Sequence, residues 1–257
     1  MERKKFLKQL ALGGVSFSVL QSFTKGDKCK PTASDTEGPF PTKEPATLIT
    51  QNIISDRVGQ PLTIKITVND INNNCKGIES AIVDIWHCDS KGEYSEYGDS
   101  AMFPPPGGKN GMPPPPGAGR PPKNNNDSLH RPPMGGGSMK EADHTKEHFL
   151  RGRQITNADG IASFTSIFPG WYPGRAPHIH VHVYSKKGKS LLITQIAFPE
   201  ETAHEVYTQG VYKEHGLPDT TNADDNVFND SIANELGTVT GNNNDGYLLT
   251  HSIYIKA

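Results

Sequence analysis

The chain of 257 residues is poor in net charge, in apolar residues and in cysteine. Its formal charge is −2, with 26 Lys and Arg against 28 Asp and Glu. That leaves no basic surplus to draw it to nucleic acid or to an anionic membrane surface. A small-molecule ligand is the better starting expectation. No uninterrupted apolar run is long enough to span a bilayer, so no integral membrane segment is expected once an N-terminal signal is removed. Hydrophobic residues make up only 33% of the chain, but the deficit is concentrated in particular stretches, and the remainder can still build a core. With three cysteines, Cys29, Cys75 and Cys88, at most one intrachain disulfide can form. Cys29 and Cys75 sit in polar, loop-like contexts and are the expected pair, whereas Cys88 closes the apolar stretch "VDIWHC" and reads as a buried free thiol.

The chain begins "MERKKFLKQLALGGVSFSVLQSF", a basic head followed by a short, interrupted apolar run. This is the pattern of an export signal over residues 1–26, and "RKKFLK" is close to the twin-arginine type. The expected location is therefore periplasmic or secreted, in a compartment that permits a disulfide.

Beyond the signal, alternation dominates. In "PLTIKITVND" (61–70), Leu62, Ile64, Ile66 and Val68 fall on one face and Thr63, Lys65 and Thr67 on the other, as a half-buried strand requires. Similar runs occupy 81–87, 161–167, 178–184, 191–198 and 247–255, with Gly, Asn, Asp and Pro between them. One short helix is expected at about 200–209. Many short strands and few helical periods predict an all-β fold, a β-sandwich of mixed, mainly antiparallel strands, with long loops carrying the site. Residues 27–257 read as one such domain. Within it, about 98–146 is Pro, Gly and Asn with almost nothing to bury, which predicts a flexible insertion.

The chemistry concentrates in "GWYPGRAPHIHVHVY" (170–184). In a strand, His178, His180 and His182 share one face at a spacing of about 6.5 to 7 Å, so two neighbours can bind one metal ion while all three hardly can. The Pro-Gly turn after Tyr172 can fold its phenol back over the same place. A second tyrosine, Tyr94, follows the strand-like "DIWHCDSKGEY". A phenol ionises near pH 10 unless a strongly charged ion lowers that value, so phenols combined with imidazoles suit a hard cation, Fe(III) above all. Two other readings stay open: a noncatalytic metal- or ligand-binding sandwich, and a zinc or copper site on His178, His180 and His182.

"TEGPFP" (36–41), "VDIWHCDSKGEYS" (83–95), "FLRGRQITNADGIASFTSIFPGWYPGR" (149–175), "PHIHVHV" (177–183) and "LLITQIAFPE" (191–200) occur in this order. Together they resemble the intradiol ring-cleavage dioxygenases, the group of catechol 1,2- and protocatechuate 3,4-dioxygenases. The resemblance implies one nonhaem Fe(III) per chain, O2 as co-substrate, and a small catecholic substrate opened between its two hydroxylated carbons. Position by position, it implies Tyr94, Tyr172, His178 and His180 as metal ligands. It also implies Arg175 as the residue supporting the substrate during oxidation, and Gln195 near the bound ring. Tyr172 is the candidate for the ligand that departs as a base, and Tyr94 for the one retained. His182 lies one repeat beyond the motif. The segment from Tyr172 to His178 is shorter than in the best-known members, and the N-terminal dimerisation helices of catechol 1,2-dioxygenases have no counterpart. The pocket wall therefore differs, and the resemblance fixes neither the particular catechol nor the oligomeric state.

Overall fold

The computed structural model describes residues 29–98, 143–228 and 231–257. The expected export signal and nearly all of the expected insertion lie outside these residues. The insertion's described ends meet, because Gly98 and Asp143 form an antiparallel bridge.

Strands form at each of the predicted runs, and three further ones, Lys76–Gly77, Arg151–Ile155 and Thr238–Asn242, form where no alternation was read. In chain order the strands are β1 Pro61–Asp70, β2 Lys76–Gly77, β3 Ile82–Trp86, β4 Arg151–Ile155, β5 Ile161–Ile167, β6 His178–Tyr184, β7 Ser190–Ala197, β8 Thr238–Asn242 and β9 Gly246–Ile255. The helices are α1 Glu200–Tyr207 and α2 Ile232–Glu235. One sheet runs β2-β1-β9-β8, with β5 also on β1; the other runs β4-β3-β6-β7. All pairings are antiparallel except β1 with β9. The result is the predicted all-β sandwich of mixed, mainly antiparallel strands.

The apolar face of each strand fills the space between the sheets. Ile64, Ile66 and Val68 of β1, Val83 and Ile85 of β3, Phe164 of β5, Ile179, Val181 and Val183 of β6, and Leu249 and Ile253 of β9 join one buried cluster. Each such aliphatic side chain stabilises the fold by about 1.5–3 kcal/mol relative to exposure. Since Ile179, Val181 and Val183 point into this core, the alternate residues His178, His180 and His182 point to the opposite face of the same sheet. That face is covered too: β6 is a central strand, paired with β3 and β7, and every residue from His178 to Val183 is buried.

Cys29 and Cys75 form the disulfide, as expected, and Cys88 is a buried free thiol. The bond ties the start of the described chain to the turn after β1. From there the N-terminal segment runs back across the outer face of the β4-β3-β6-β7 sheet. Two backbone bonds fix its course, Thr32 N–H to the Tyr254 carbonyl at 3.0 Å and Asp35 N–H to the Ile193 carbonyl at 2.9 Å.

Candidate metal centre

Register puts the chemistry in one row. Trp86 of β3 pairs with both Arg151 of β4 and His180 of β6, and His180 pairs with Gln195 of β7. Directly paired residues share a face, so Arg151, Trp86, His180 and Gln195 line up across four strands on the outer side of the sheet. The indole and imidazole stack in parallel, with ring centroids 4.9 Å apart.

The segment "TEGPF" lies along this row at intervals of two residues. The Thr36 carbonyl accepts from Gln195 Nε2 at 3.3 Å, Gly38 lies against the His180 ring, and the Phe40 carbonyl accepts from Arg151 Nη1 at 2.9 Å. Gly38 has φ +70°, and a Cβ there would stand 2.8 Å from His180 Cε1. Glycine is required at this point both by backbone conformation and by the closeness of the ring.

His178 and His180 bring their Nε2 atoms to 3.1 Å. His178 Nδ1 donates to the Ala176 carbonyl at 2.6 Å, which leaves its lone pair on Nε2. Burial holds both rings well below the usual histidine pKa, assisted for His178 by the Arg175 charge and for His180 by His178. They are neutral imidazoles at neutral pH. Tyr172 Oη stands 3.5 Å from His178 Nε2, brought back by the turn through Gly174, where φ is +82°. The Tyr94 ring lies 5.8 Å from that of Tyr172 and 6.2 Å from that of His180, and stacks on Phe40 at 4.5 Å. Tyr94 Oη is buried and has no hydrogen-bond partner among the described residues.

Burial pushes the Tyr172 phenol up to about 12 against the pull of Arg175, and raises Tyr94 well above its ordinary value. Both are phenols at neutral pH unless a strongly charged cation stands beside them. Two imidazole Nε2 atoms that face each other and the Tyr172 phenol, with the unpartnered buried Tyr94 phenol beside them, form a donor set that fits a hard trivalent ion. Among the described residues no group of three or more His, Cys, Asp and Glu side chains could hold a metal. The set that does gather mixes nitrogen with phenolic oxygen.

His182 turns away from this set. Its Nε2 bonds Ser190 Oγ and its Nδ1 bonds Tyr184 Oη, each at 2.8 Å. A centre built on His178, His180 and His182 together is thus not what this strand presents.

Arg175 and Gln195 stand beside the phenols. Arg175 Nη1 lies 3.4 Å from Tyr172 Oη, and Nη2 donates to Gln195 Oε1 at 2.6 Å. The third partner, unread in the sequence, is Asp225, whose two oxygens accept from Arg175 Nε at 3.1 and 2.8 Å. Two further unread residues hold the Tyr94 loop. The fully buried Arg151 donates from Nε to Ser95 Oγ at 2.9 Å and from Nη2 to the Ser95 carbonyl at 2.7 Å, and buried Glu96 accepts from Lys43 N–H at 2.7 Å. A basic residue in a polar strand and an acid in a loop carry no sign of this in the sequence.

No protein-family model and no curated protein sequence matches the chain. Solved structures do. An intradiol ring-cleavage dioxygenase from Tetranychus urticae superimposes with a TM-score of 0.67 at 27% identity, covering 88% of this chain and 95% of that one. The dioxygenase domain of a dioxygenase–carbohydrate-binding fusion from Streptomyces sp. SirexAA-E gives 0.54 at 22%, covering 88% and 97%. Hydroxyquinol 1,2-dioxygenase from Pseudomonas putida DLL-E4 gives 0.51 at 12%, covering 90% and 68%, a likeness of fold alone. The resemblance to intradiol ring-cleavage dioxygenases seen in the sequence is therefore present in three dimensions.

Proposed function

We propose that this chain is a nonhaem Fe(III)-dependent intradiol dioxygenase, which inserts both atoms of O2 into a catechol-type ring and releases a cis,cis-muconate-type product. The observation that supports this reading is that the rings of Tyr94, Tyr172, His178 and His180 lie together in one buried place of a sandwich similar to those of intradiol dioxygenases. These four side chains would hold one iron. When bound, Fe(III) acts as a Lewis acid that promotes loss of both catechol protons and makes the ring carbons open to O2.

The chain's own residues divide the remaining work. Tyr172 Oη receives a substrate hydroxyl proton, since Arg175 Nη1 at 3.4 Å gives this oxygen a partner other than a metal ion. Tyr94 Oη has no such partner among the described residues, which supports its role as the retained ligand. Arg175 holds a directed N–H donor beside the reacting ring, where oxyanion character develops, and Gln195 fixes the guanidinium that carries it. Phe40 and Trp86 exclude water, packing against Tyr94 and His180.

Export is part of the proposal: the N-terminal signal pattern and the Cys29–Cys75 disulfide both support an oxidising compartment. The test is an oxygen-electrode screen of the iron-loaded protein with catechol, protocatechuate, hydroxyquinol and caffeate, with products identified by mass spectrometry. Oxygen uptake matched by a ring-opened dicarboxylate is expected. Binding of catechols without uptake would return the chain to the noncatalytic sandwich reading.

A further inference from the structure

The arginine beside the phenols is not a free charge. The Asp225 side chain is fully buried and its carboxylate is saturated with donors: Arg175 Nε reaches both oxygens, Ala176 N–H reaches Oδ2 at 2.7 Å and Val227 N–H reaches Oδ1 at 2.8 Å. Two backbone donors lock the carboxylate in place, so the guanidinium it grips is locked as well. The other edges of Arg175 are committed to Gln195 and Tyr172, and its face lies 5.6 Å from the Phe228 ring centre. The second buried arginine near the phenols, Arg151, is similarly spent on Ser95, Phe40 and Thr42, with the Glu96 carboxylate 3.8 Å away.

Both guanidiniums beside the phenols thus face a carboxylate already. A substrate carrying its own carboxylate would give up hydration on entering and meet a cation whose charge is cancelled. A substrate with an uncharged substituent suffers no such loss.

We propose that Asp225 is a positioning and specificity-determining residue: it clamps Arg175 with Nη1 at the Tyr172 phenol, and by cancelling the arginine's charge it makes the site favour catechols with uncharged ring substituents over ring carboxylates. The inference rests on the dioxygenase reading and narrows its substrate class. Asp225 acts through Arg175 and touches neither the phenols nor the histidines.

The experiment uses the full iron-loaded chain, as wild type, Asp225→Asn and Asp225→Glu. Visible titration under argon gives dissociation constants for catechol, protocatechuate and the ethyl ester of protocatechuate, and oxygen uptake gives kcat and KM for catechol. The wild type should bind the ester at least about tenfold more tightly than the acid. Asp225→Asn should retain iron, reduce that preference by about tenfold or more, and lower kcat on catechol by about tenfold with little change in KM. Asp225→Glu should restore the preference for the ester. A wild type that prefers the acid overturns the inference, as does an Asn variant unchanged in both preference and kcat. Should Asp225→Asn not fold, the acid-against-ester comparison in the wild type decides. A wild type that turns over catechol yet prefers the acid sinks only this inference, whereas no spectral change and no oxygen uptake with any catechol sinks the dioxygenase reading with it.

Discussion

His178 and His180, two residues apart on one face of β6, hold their Nε2 atoms 3.1 Å from each other, and the first is anchored through Nδ1 to the Ala176 carbonyl. Without a cation the two rings satisfy each other through a single Nε2–H···Nε2 hydrogen bond, whereas a cation beside them would take both lone pairs. The arrangement makes sense as half of a metal centre whose other half is phenolic.

Replacing a ligand should therefore remove the metal rather than merely slow turnover. Tyr94→Phe keeps the ring that stacks on Phe40 and deletes only the oxygen. His178→Ala deletes a nitrogen donor. Each is expected to lose most of its iron by elemental analysis while keeping its sandwich fold by circular dichroism. Iron retained at wild-type stoichiometry in both would count against the assignment.

Arg175→Ala should behave differently. The four ligands remain, so iron stays bound and turnover is lost. The buried Asp225 carboxylate is left without its cation, at a cost on the order of 3 kcal/mol, visible as a lower denaturation midpoint.

Gly38→Ala tests the closeness of the "TEGPF" segment to the site. A methyl group at φ +70° would press on His180 Cε1 from 2.8 Å. The expected cost is about 1–3 kcal/mol in urea unfolding, accompanied by weaker iron retention because the ring must shift. A variant with unchanged stability and iron would mean that the segment lies further from His180.

Acid should destabilise the fold through two buried histidines that are not candidate ligands, His87 and His251. Burial first, offset by a bond to the Cys88 carbonyl, lowers His87 to about 4, and burial likewise lowers His251 to about 4. Above the ordinary value of about 6.5 both rings are neutral folded or unfolded, and their contribution is fully present. As pH falls toward 4 the unfolded rings take up protons and the folded ones resist, so each withdraws on the order of 3 kcal/mol. Urea midpoints should drop between pH 7 and pH 4.5, and His251→Gln should flatten the slope. An identical slope in that variant would remove His251 from the account.

Much of this architecture was legible in the sequence because it is written in local periods. Leu62 to Val68 alternate against Thr63 to Thr67, and β1 follows them; the same holds for β5, β6 and β9. β4 escaped because "RGRQI" places the buried Arg151 where an apolar residue would signal a strand, and that arginine is tolerated because backbone carbonyls, two hydroxyls and the nearby Glu96 carboxylate satisfy it. β8 is a short, mostly exposed edge with no apolar face to read. The site divides similarly. Tyr172, Arg175, His178 and His180 lie within nine residues, so a turn and a strand period bring them together. Asp225 stands fifty positions beyond Arg175 in the sequence, within "TTNADDNVF", and only the folded chain reveals what it faces.

The account is tested most directly by the visible absorption spectrum of the iron-loaded protein before and after adding catechol under argon. Two phenolates that would hold Fe(III), Tyr94 and Tyr172, predict a wine-red protein whose colour changes when the catechol is added. A protein with one iron per chain that remains colourless and unaltered would contradict the account.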